Sequence, residues 1–382
     1  MSERDRPIRV LHLLHTMAHG GVETALLNWI RSFDSARIQV RLCVFANPDG
    51  SERAFLESAA RDGLTVDQIG WNRGKPLFRA ARELAALVRR ERMDVIHCHN
   101  TYANLVGLLA ARMTGVKVAT TYYVWGDFSL KRNALQWIDQ LLMKRFDAVS
   151  AHCQQCFTDT VRRGADPTRL HLLICGYPAR EIAIDESQRQ KERAGLGAQP
   201  GETVFVYMAR FWPEKAHDNL LQAFRALLDK HPQSRLWLPG VGPDKDAAET
   251  LARKLNVSEN VDFLGFYPDP DRLLTLADIQ VHPSDNEGVA LAICAGMAAA
   301  KPIIASRVGG LEEVLTDNRS AVLLPPRSPQ MLCDAMLALI RNPERALALG
   351  LEARRFITEE YSVELAAKRV EAMYAGMVRA HQ

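Results

Sequence analysis

The chain alternates along its length between short apolar runs rich in β-branched residues and longer segments whose apolar residues recur at helical spacing. Parallel neighbouring strands need a crossover, usually a helix, so such a chain is predicted to form a parallel sheet with helices on both faces. In the first half the predicted strands cover residues 8–14, 40–46, 95–99, 116–121 and 148–151, and the predicted helices cover 22–33, 76–90 and 130–144.

A polar stretch interrupts this alternation, and a second alternation follows it. Residues 185–201 are mostly polar and end in Gly and Pro, so we predict a linker there. The whole pattern predicts an α/β fold of two Rossmann-like, doubly wound domains facing a central cleft. The domains are predicted over 1–184 and 201–358, with a C-terminal helix in 359–382 packing back on the first. Predicted strands of the second half cover 203–209, 235–239, 261–264, 279–282, 302–306 and 321–324; helices cover 218–230, 246–255, 271–277, 290–299 and 330–341.

Composition excludes several other classes of protein. Of the 382 residues, 47% are hydrophobic and 24% are charged, a balance typical of globular proteins and not of collagens, coiled coils or disordered chains. Every apolar stretch is shorter than the ~18 residues that span a bilayer, and the polar start lacks a secretory signal, so a cytoplasmic protein is expected. Seven scattered cysteines do not suggest a disulfide framework.

Charge is divided unevenly between the two halves. Residues 1–180 hold 25 Lys and Arg against 17 Asp and Glu, a net +8, whereas the remainder holds 23 against 28, a net −5. The predicted helix near 130–145 combines Lys131, Arg132, Lys144 and Arg145 with large apolar side chains. That pattern fits either a peripheral contact with an anionic membrane surface or a core helix with a basic rim. Aromatic residues are not clustered with the charge, so nucleic acid is not an expected partner.

Three motifs follow predicted strands, where the loops of a parallel sheet bind ligands. Gly20-Gly21 opens a helix, and it lets a backbone approach a ligand whose negative charge the helix N-terminus favours. Arg210 and Lys215 follow the first strand of the second domain, where two cations can hold a diphosphate and stabilise its charge as it leaves. Glu287-Gly288 follows a later strand and opens a helix of small residues. Each motif taken alone also fits an ordinary turn, a solvated loop or a buried helix.

Taken in this order and spacing, the motifs resemble those of glycosyltransferase family 4, whose members are retaining, nucleotide-sugar-dependent enzymes of GT-B fold. The resemblance includes DVIHCH at 94–99, the LPGVGP turn at 238–243 and the VDFLGF segment at 261–266. It implies that Arg210, Lys215 and Glu287 are the catalytic residues, with the two cations on the donor diphosphate and the carboxylate on the transferred sugar. It also implies a donor-binding set and an acceptor side. The donor-binding residues would be Gly20, Gly21, Gly242, Phe266, Ser284, Gly288, Val289, Ala290 and Ala295, and the acceptor-side residues would be His99 and Tyr122.

The sequence departs from the family pattern at several of these positions. A second glutamate that bonds the ribose usually stands eight residues after the first, and here that residue is Ala295. A histidine that meets the acceptor or the reacting sugar often follows the VxTx strand end, and here Tyr122 takes that place. Ala216 stands where a glycine is usual. We expect these differences to affect which class of acceptor the protein uses and how active it is.

Other sites receive less support from the sequence. The nearest match to GxGxxG is Gly240-Val241-Gly242, with Lys245 at the third position, so a nicotinamide or flavin dehydrogenase is not expected. His12, His15, His19, His97 and His99 lie near strand ends, yet no carboxylate or cysteine spacing completes a metal site, and no metal is expected. No DxD motif is placed at a strand end of the first domain. The expected donor is therefore neutralised by side chains and helix ends, with no cofactor.

The expected function is a retaining, metal-independent glycosyltransferase that moves a sugar from a nucleotide diphosphate-sugar to a glycan or lipid-linked acceptor in the synthesis of cell-surface polysaccharide or glycolipid. Two alternatives stay open. One is a nucleotide-sugar 2-epimerase, which shares the two-domain architecture. The other is a non-catalytic GT-B scaffold of a polysaccharide-assembly complex, which Ala295 and Tyr122 would favour. The sequence leaves the base, the sugar, the acceptor and the linkage undefined.

Overall fold

The structure is a computed structural model that describes residues 6–16, 20–72, 74–123, 125, 130–179 and 182–379, without the side chains of 131 and 132. The predictions for His19, Lys131 and Arg132 therefore lie outside the described residues and side chains. The chain divides into two compact units. The first unit comprises residues 1–176 together with 363–382, and the second comprises residues 177–362.

The first unit contains a seven-stranded parallel sheet with the order β3-β2-β1-β4-β5-β6-β7. The order reverses direction between β1 and β4, which is the point where ligands bind in open parallel sheets. The strands are β1 (Ile8–Leu14), β2 (Ile38–Ala46), β3 (Val66–Gly70), β4 (Val95–His99), β5 (Lys117–Tyr122), β6 (Ala148–Ala151) and β7 (Leu170–Leu172). The helices are α1 (Gly21–Ser32), α2 (Arg53–Arg61), α3 (Leu77–Arg90), α4 (Thr101–Thr114), α5 (Leu130–Leu142) and α6 (Gln154–Arg162).

The second unit contains a six-stranded parallel sheet with the order β10-β9-β8-β11-β12-β13, which reverses between β8 and β11. The strands are β8 (Thr203–Val206), β9 (Ser234–Pro239), β10 (Val261–Gly265), β11 (Ile279–His282), β12 (Ile303–Ser306) and β13 (Val322–Leu324). The helices are α7 (Glu186–Gly195), α8 (His217–Leu228), α9 (Lys245–Lys254), α10 (Pro270–Leu276), α11 (Leu291–Ala298), α12 (Leu311–Val314), α13 (Pro329–Arg341) and α14 (Pro343–Glu359).

The final helix, α15 (Val363–Arg379), belongs to the first unit and packs on α1. Tyr374 is fully buried there, and the carboxylate of Glu371 accepts a hydrogen bond from the Asp34 backbone N–H at 2.9 Å. The predicted fold of two Rossmann-like domains and a C-terminal helix that returns to the first domain is confirmed. No helix among the described residues is both long enough and apolar enough to cross a membrane.

The linker predicted over 185–201 is wrong, because most of that stretch forms α7. The Asp185 side chain caps the helix by accepting a hydrogen bond from the Gln188 N–H at 2.8 Å. An ion pair attaches the helix to the rest of the second unit. Arg193 is buried, lies 3.0 Å from the carboxylate of Asp278, and also donates to the Leu276 carbonyl. A helix attached by ion pairs has a polar sequence, and this explains why hydrophobic periodicity did not reveal it.

Candidate active site

The reversal point of the second sheet brings two of the predicted motifs together. Strands β8 and β11 are neighbours in the sheet. The loop after β8 carries Arg210 and Lys215, and the loop after β11 carries Glu287. The Asp285 N–H donates to the Glu214 carbonyl at 2.8 Å, so the two loops are joined through their backbones as well as their side chains.

Glu287 is the centre of a compact polar cluster. Its Oε1 atom accepts hydrogen bonds from the Ser284 hydroxyl and His282 Nε2, both at 2.9 Å, and it forms an ion pair with the ammonium of Lys215. Burial opposes the charge on this carboxylate, but Lys215 and His282 outweigh that effect and lower the pKa of Glu287 to about 2. Glu287 is therefore ionised at physiological pH. Its Oε2 atom has no hydrogen-bond partner among the described residues and remains able to accept one from a ligand.

The two cations of this site differ in their surroundings. The side chain of Lys215 is 16% exposed and is held by Glu287. Arg210 is exposed, lies 5.9 Å from the ring centroid of Trp212, and has no ion-pair partner in the part of the chain that the structure describes. A guanidinium in this position can take an anionic ligand without first losing a carboxylate partner.

Two glycines that follow β9 fix the backbone around Arg210. A Cβ atom on Gly240 would lie 2.0 Å from the Ala209 carbonyl oxygen, and one on Gly242 would lie 2.3 Å from the Phe211 carbonyl oxygen. Both glycines also have positive φ. Gly242, predicted to bind the donor, is thus required by the packing of the loop that carries Arg210, whatever contact it makes with a ligand.

Most of the remaining predicted donor residues lie before or within α11. Ser284 is buried, and its hydroxyl lies 2.8 Å from that of Tyr207 and 2.9 Å from Glu287. Gly310 allows the 288–289 backbone to pass close by, since a Cβ on it would lie 2.8 Å from the Gly288 carbonyl carbon. Val289 is buried, Ala290 precedes the first turn of α11, Ala295 is buried within that helix, and Phe266 is 54% exposed after β10.

Sequence reasoning missed two aromatic side chains beside this cluster, those of Tyr207 and His217. Tyr207 donates its hydroxyl hydrogen to the Lys215 carbonyl or to Ser284, at 2.9 and 2.8 Å. The ring of His217 stacks on Phe211 with 4.1 Å between centroids, and neither of its buried nitrogens has a hydrogen-bond partner among the residues that the structure describes. Burial and the neighbouring Lys215 lower the pKa of His217 to about 3. Their positions in the sequence could have indicated them, because Tyr207 and His217 lie at the two ends of the loop that carries Arg210.

The glycine pair of the first unit is positioned differently. Gly20 precedes α1, and its N–H donates to the carboxylate of Glu23 at 3.0 Å. A Cβ atom on Gly21 would meet no described atom within 4 Å. Packing among the described residues therefore does not require glycine at position 21, and this leaves contact with a ligand as a reason for it.

The predicted acceptor-side residues are both buried. Tyr122 packs against Trp125, and its hydroxyl donates to the Asp139 carbonyl at 3.2 Å. His99 lies beside His12 and His97, and the three histidines bring nitrogen atoms within 4.8 Å of one another. The sequence did not predict this cluster, because its members come from adjacent strands. Each of their ring nitrogens is already within hydrogen-bond distance of a described side chain.

Comparison with known proteins assigns both units to one type of enzyme. The family model of group 1 glycosyl transferases matches residues 188–356, and the model of the glycosyl transferase 4-like domain matches residues 20–176. The chain is 30% identical over 291 residues to D-inositol 3-phosphate glycosyltransferase of Rhodococcus jostii, covering 71% of this chain and 64% of that one. It is 24% identical to N-acetyl-alpha-D-glucosaminyl L-malate synthase of Bacillus anthracis over 327 residues, covering 83% of this chain and 84% of that one.

The fold is also that of a solved structure. The crystal structure of Anabaena HepE in complex with UDP-glucose has a TM-score of 0.84 and 18% sequence identity, and the match covers 97% of this chain and all of that one. The two family models match consecutive parts of the chain that correspond to its two sheets. The chain therefore belongs to the group 1 glycosyltransferases of GT-B fold.

Proposed function

We propose that this enzyme is a retaining glycosyltransferase of family 4 that takes its sugar from a nucleotide diphosphate-sugar bound mainly to the second unit. The observation that carries the donor assignment is that the loop bearing Arg210 and Lys215 meets the loop bearing Glu287 at the reversal point of the second sheet, where Lys215 pairs with Glu287. HepE, which shares this fold, binds UDP-glucose, and this makes UDP-sugars the first donors to test.

The chemistry of the cluster fits such a donor. Arg210 is free to receive a diphosphate, and Lys215 can share its charge between Glu287 and a phosphate oxygen. As the bond between the sugar and the diphosphate breaks, negative charge grows on the leaving oxygen, and fixed cations stabilise that charge more than they stabilise the ground state. The ionised Glu287 has an unbonded Oε2 atom that can accept a hydrogen bond from a sugar hydroxyl. The proposed reaction needs no metal ion, since the protein itself supplies the positive charge.

The proposed acceptor is a hydroxyl of a glycan or a lipid-linked sugar, bound on the first unit. An exposed surface of α5 supports contact with a membrane from its cytoplasmic side. Leu130, Ala134, Trp137 and Leu141 are exposed at spacings of four, three and four residues, and so form one stripe on the helix. Lys144 and Arg145 are exposed just beyond its end. We propose that this stripe, with the net +8 of residues 1–180, rests on an anionic membrane surface.

A transfer screen tests the proposed activity. The protein is incubated with UDP-, GDP- and ADP-sugars and octyl glycosides as acceptors, with and without EDTA, and the anomeric configuration of the product is determined by NMR. We expect transfer from one nucleotide class, with retention and without loss in EDTA. An inverted product or an EDTA-sensitive reaction would contradict the proposed mechanism. Conversion of the donor to its 2-epimer would favour an epimerase, and binding of no nucleotide in thermal-shift assays would favour a scaffold.

A further inference from the structure

His15 directly follows β1, at the carboxyl edge of the first sheet and at the point where its strand order reverses. Two neighbouring elements hold it in place. Asn100, which caps α4, donates through its side-chain nitrogen to the His15 carbonyl at 3.0 Å. His15 Nε2 lies 3.1 Å from Oδ1 of Asn47, the residue that follows β2. The His15 side chain is half-buried, so a ligand can still reach it.

The hydrogen in the contact between His15 and Asn47 can be assigned to one atom. The side-chain nitrogen of Asn47 lies 2.7 Å from the Thr16 carbonyl oxygen, and a rotated amide would place two oxygens at that distance. The nitrogen of the amide therefore faces Thr16, and the oxygen faces His15. An amide oxygen can only accept, so His15 Nε2 carries a hydrogen and donates it. Neither oxygen can become a donor, and the direction of the bond is therefore fixed.

The other ring nitrogen of His15 is left with a bare lone pair. Burial lowers the pKa of His15, and the Lys75 ammonium lowers it further, whereas the bond to Asn47 and the Asp49 carboxylate act in the opposite direction. The ring is therefore neutral at physiological pH, and its single hydrogen is on Nε2. Nδ1 has no hydrogen-bond partner within the described part of the chain. It can accept a hydrogen bond from a ligand and has none to donate.

Three aromatic rings approach His15 edge-on. The ring centroids of Phe45, Trp71 and Tyr102 lie 5.4, 5.7 and 5.2 Å from that of His15. Trp71 is buried and Tyr102 is half-buried, and the Lys75 ammonium lies 4.3 Å from the centroid of the Tyr102 ring. Aromatic carbon around a polar atom limits competition from water, so a hydrogen bond to Nδ1 contributes more here than it would on an open surface.

These observations define the group that His15 can recognise. We propose, resting on the function proposed above, that His15 Nδ1 accepts a hydrogen bond from a hydroxyl of the acceptor sugar, beside the rings of Trp71 and Tyr102. An acceptor that presents a carboxylate or an ester oxygen to Nδ1 would bring two lone pairs together and is rejected. The residues of this contact follow β1, β2 and β3 or open α4, and β4 separates them from β5, so the contact is distinct from the one implied at Tyr122.

The hydrogen assignment is tested on the free protein. In the full chain labelled with ¹⁵N-histidine, we expect His15 to show a protonated Nε2 and a bare Nδ1 at pH 7, with its signal identified by its loss in His15→Gln. A hydrogen on Nδ1, or a charged ring at this pH, would overturn the inference without reference to any activity.

Two amide variants separate contact with the acceptor from support of the fold. The amide of His15→Gln reaches the position of Nε2 and can still donate to Asn47, but it leaves nothing at the position of Nδ1. The amide of His15→Asn reaches the position of Nδ1 and loses the bond to Asn47. With the octyl glycoside that the wild type uses, His15→Gln should raise the acceptor KM about tenfold, leaving the donor KM and the urea-unfolding midpoint unchanged.

His15→Asn should show the opposite pattern, with a lower unfolding midpoint and an acceptor KM close to that of the wild type. His171→Gln is the matched control, since His171 in β7 is also half-buried and its pKa is also lowered by burial. It should leave both KM values unchanged. A normal acceptor KM in His15→Gln together with a raised one in His15→Asn would mean that His15 acts only through Asn47, and would overturn the inference.

Monodeoxy analogues of the glycoside identify the hydroxyl concerned. One analogue should lose about tenfold with the wild type and nothing more with His15→Gln, because the bond is already absent from that variant. Full additivity with every analogue would overturn the inference while transfer itself stands. Absence of transfer from any nucleotide sugar would instead overturn the proposed function and with it this contact, and the tautomer measured on the free protein would still show whether Nδ1 is bare.

Discussion

Arg210 and Lys215 carry the same charge, but their removal should affect the protein differently. Each is proposed to hold the diphosphate, so replacement of either by Ala should lower turnover by about 10²- to 10³-fold. Only Lys215 is paired with a buried carboxylate. Lys215→Ala should therefore also lower the free energy of unfolding by about 3 kcal/mol, because it leaves Glu287 without its cation, whereas Arg210→Ala should leave it nearly unchanged.

Steady-state kinetics and urea unfolding measure the two effects separately. Lys245→Ala is the matched control, since Lys245 forms a half-exposed pair with Glu249 at 3.0 Å and its loss should cost less than about 1 kcal/mol. Turnover within twofold of wild type in both site variants would remove them from the diphosphate site.

Glu287 should make stability depend on acid in a defined direction. Its pKa is about 2 in the folded protein, below the value of ~4.3 in an unfolded chain, so the unfolded state binds its proton first as the pH falls. The stabilisation from its ionised form is complete above about pH 5, amounts to about 3 kcal/mol, and is lost as the pH falls toward 2. The difference in unfolding free energy between wild type and Glu287→Gln, measured by urea titration, should shrink over that range. A difference that is constant from pH 7 to pH 3 would contradict the ion pair.

At the scale of elements, the sequence predicted most of the strands and missed several helices, among them the polar α7 and the apolar α4. Strands β1, β4, β6 and β11 have the predicted bounds, because their apolar runs end in turn residues. Strand β3, VDQIG, and helix α7 went unpredicted, since neither has enough apolar residues for a period to show. The Glu287 motif could be predicted because its residues are close in sequence. The partners of Tyr374 could not, because His97 in β4 and His12 in β1 lie 277 and 362 residues away from it in the sequence.

The glycines at the two loops provide a matched pair of tests. Gly242→Ala should destabilise the protein and displace the Arg210 loop, because its Cβ would lie 2.3 Å from a backbone carbonyl. Gly21 begins α1, and a Cβ there meets no described atom within 4 Å, so Gly21→Ala should leave stability unchanged or slightly raised. If the glycine loop contacts the donor, Gly21→Ala should nevertheless lower transfer. Thermal unfolding and transfer kinetics, measured on the same samples, separate the effect on stability from the effect on transfer. Unchanged kinetics in Gly21→Ala would leave that loop without a role in binding.

The exposed stripe of α5 predicts binding to membranes. Vesicles containing acidic lipid should bind the protein and shift the Trp137 fluorescence to shorter wavelength, because the indole, 62% exposed in the free protein, would enter the interface. Binding should weaken between 50 and 500 mM salt as screening shortens from about 14 Å to about 4 Å. Trp137→Ala should reduce it, whereas Leu351→Ser, which removes an exposed leucine of the second unit, should not. Equal binding to neutral vesicles would argue against recognition of anionic lipid.

At the scale of the whole chain, the first unit is built from both ends of the sequence. Residues 363–382 return to it after the entire second unit has been completed. This order places Tyr374 in contact with His97 and His12, so the polar core of the first unit is complete only when the last helix is in place. The proposed donor site has no such dependence, since Arg210, Lys215 and Glu287 all belong to the contiguous second unit.

Hydrogen exchange of the full chain, with and without UDP, tests that separation. The proposed donor contacts lie in the loops after β8 and β11, so UDP should slow exchange in residues 207–216 and 284–291. The strands β1 and β4 should exchange at the same rate in both states, because neither carries a proposed contact with the nucleotide diphosphate. Arg210→Ala serves as the control and should lose most of the protection in both loops at the same UDP concentration. Slower exchange confined to the first unit would instead place the nucleotide beside Gly20 and Gly21 and assign the acceptor to the second unit. That result would reverse the proposed roles of the two units.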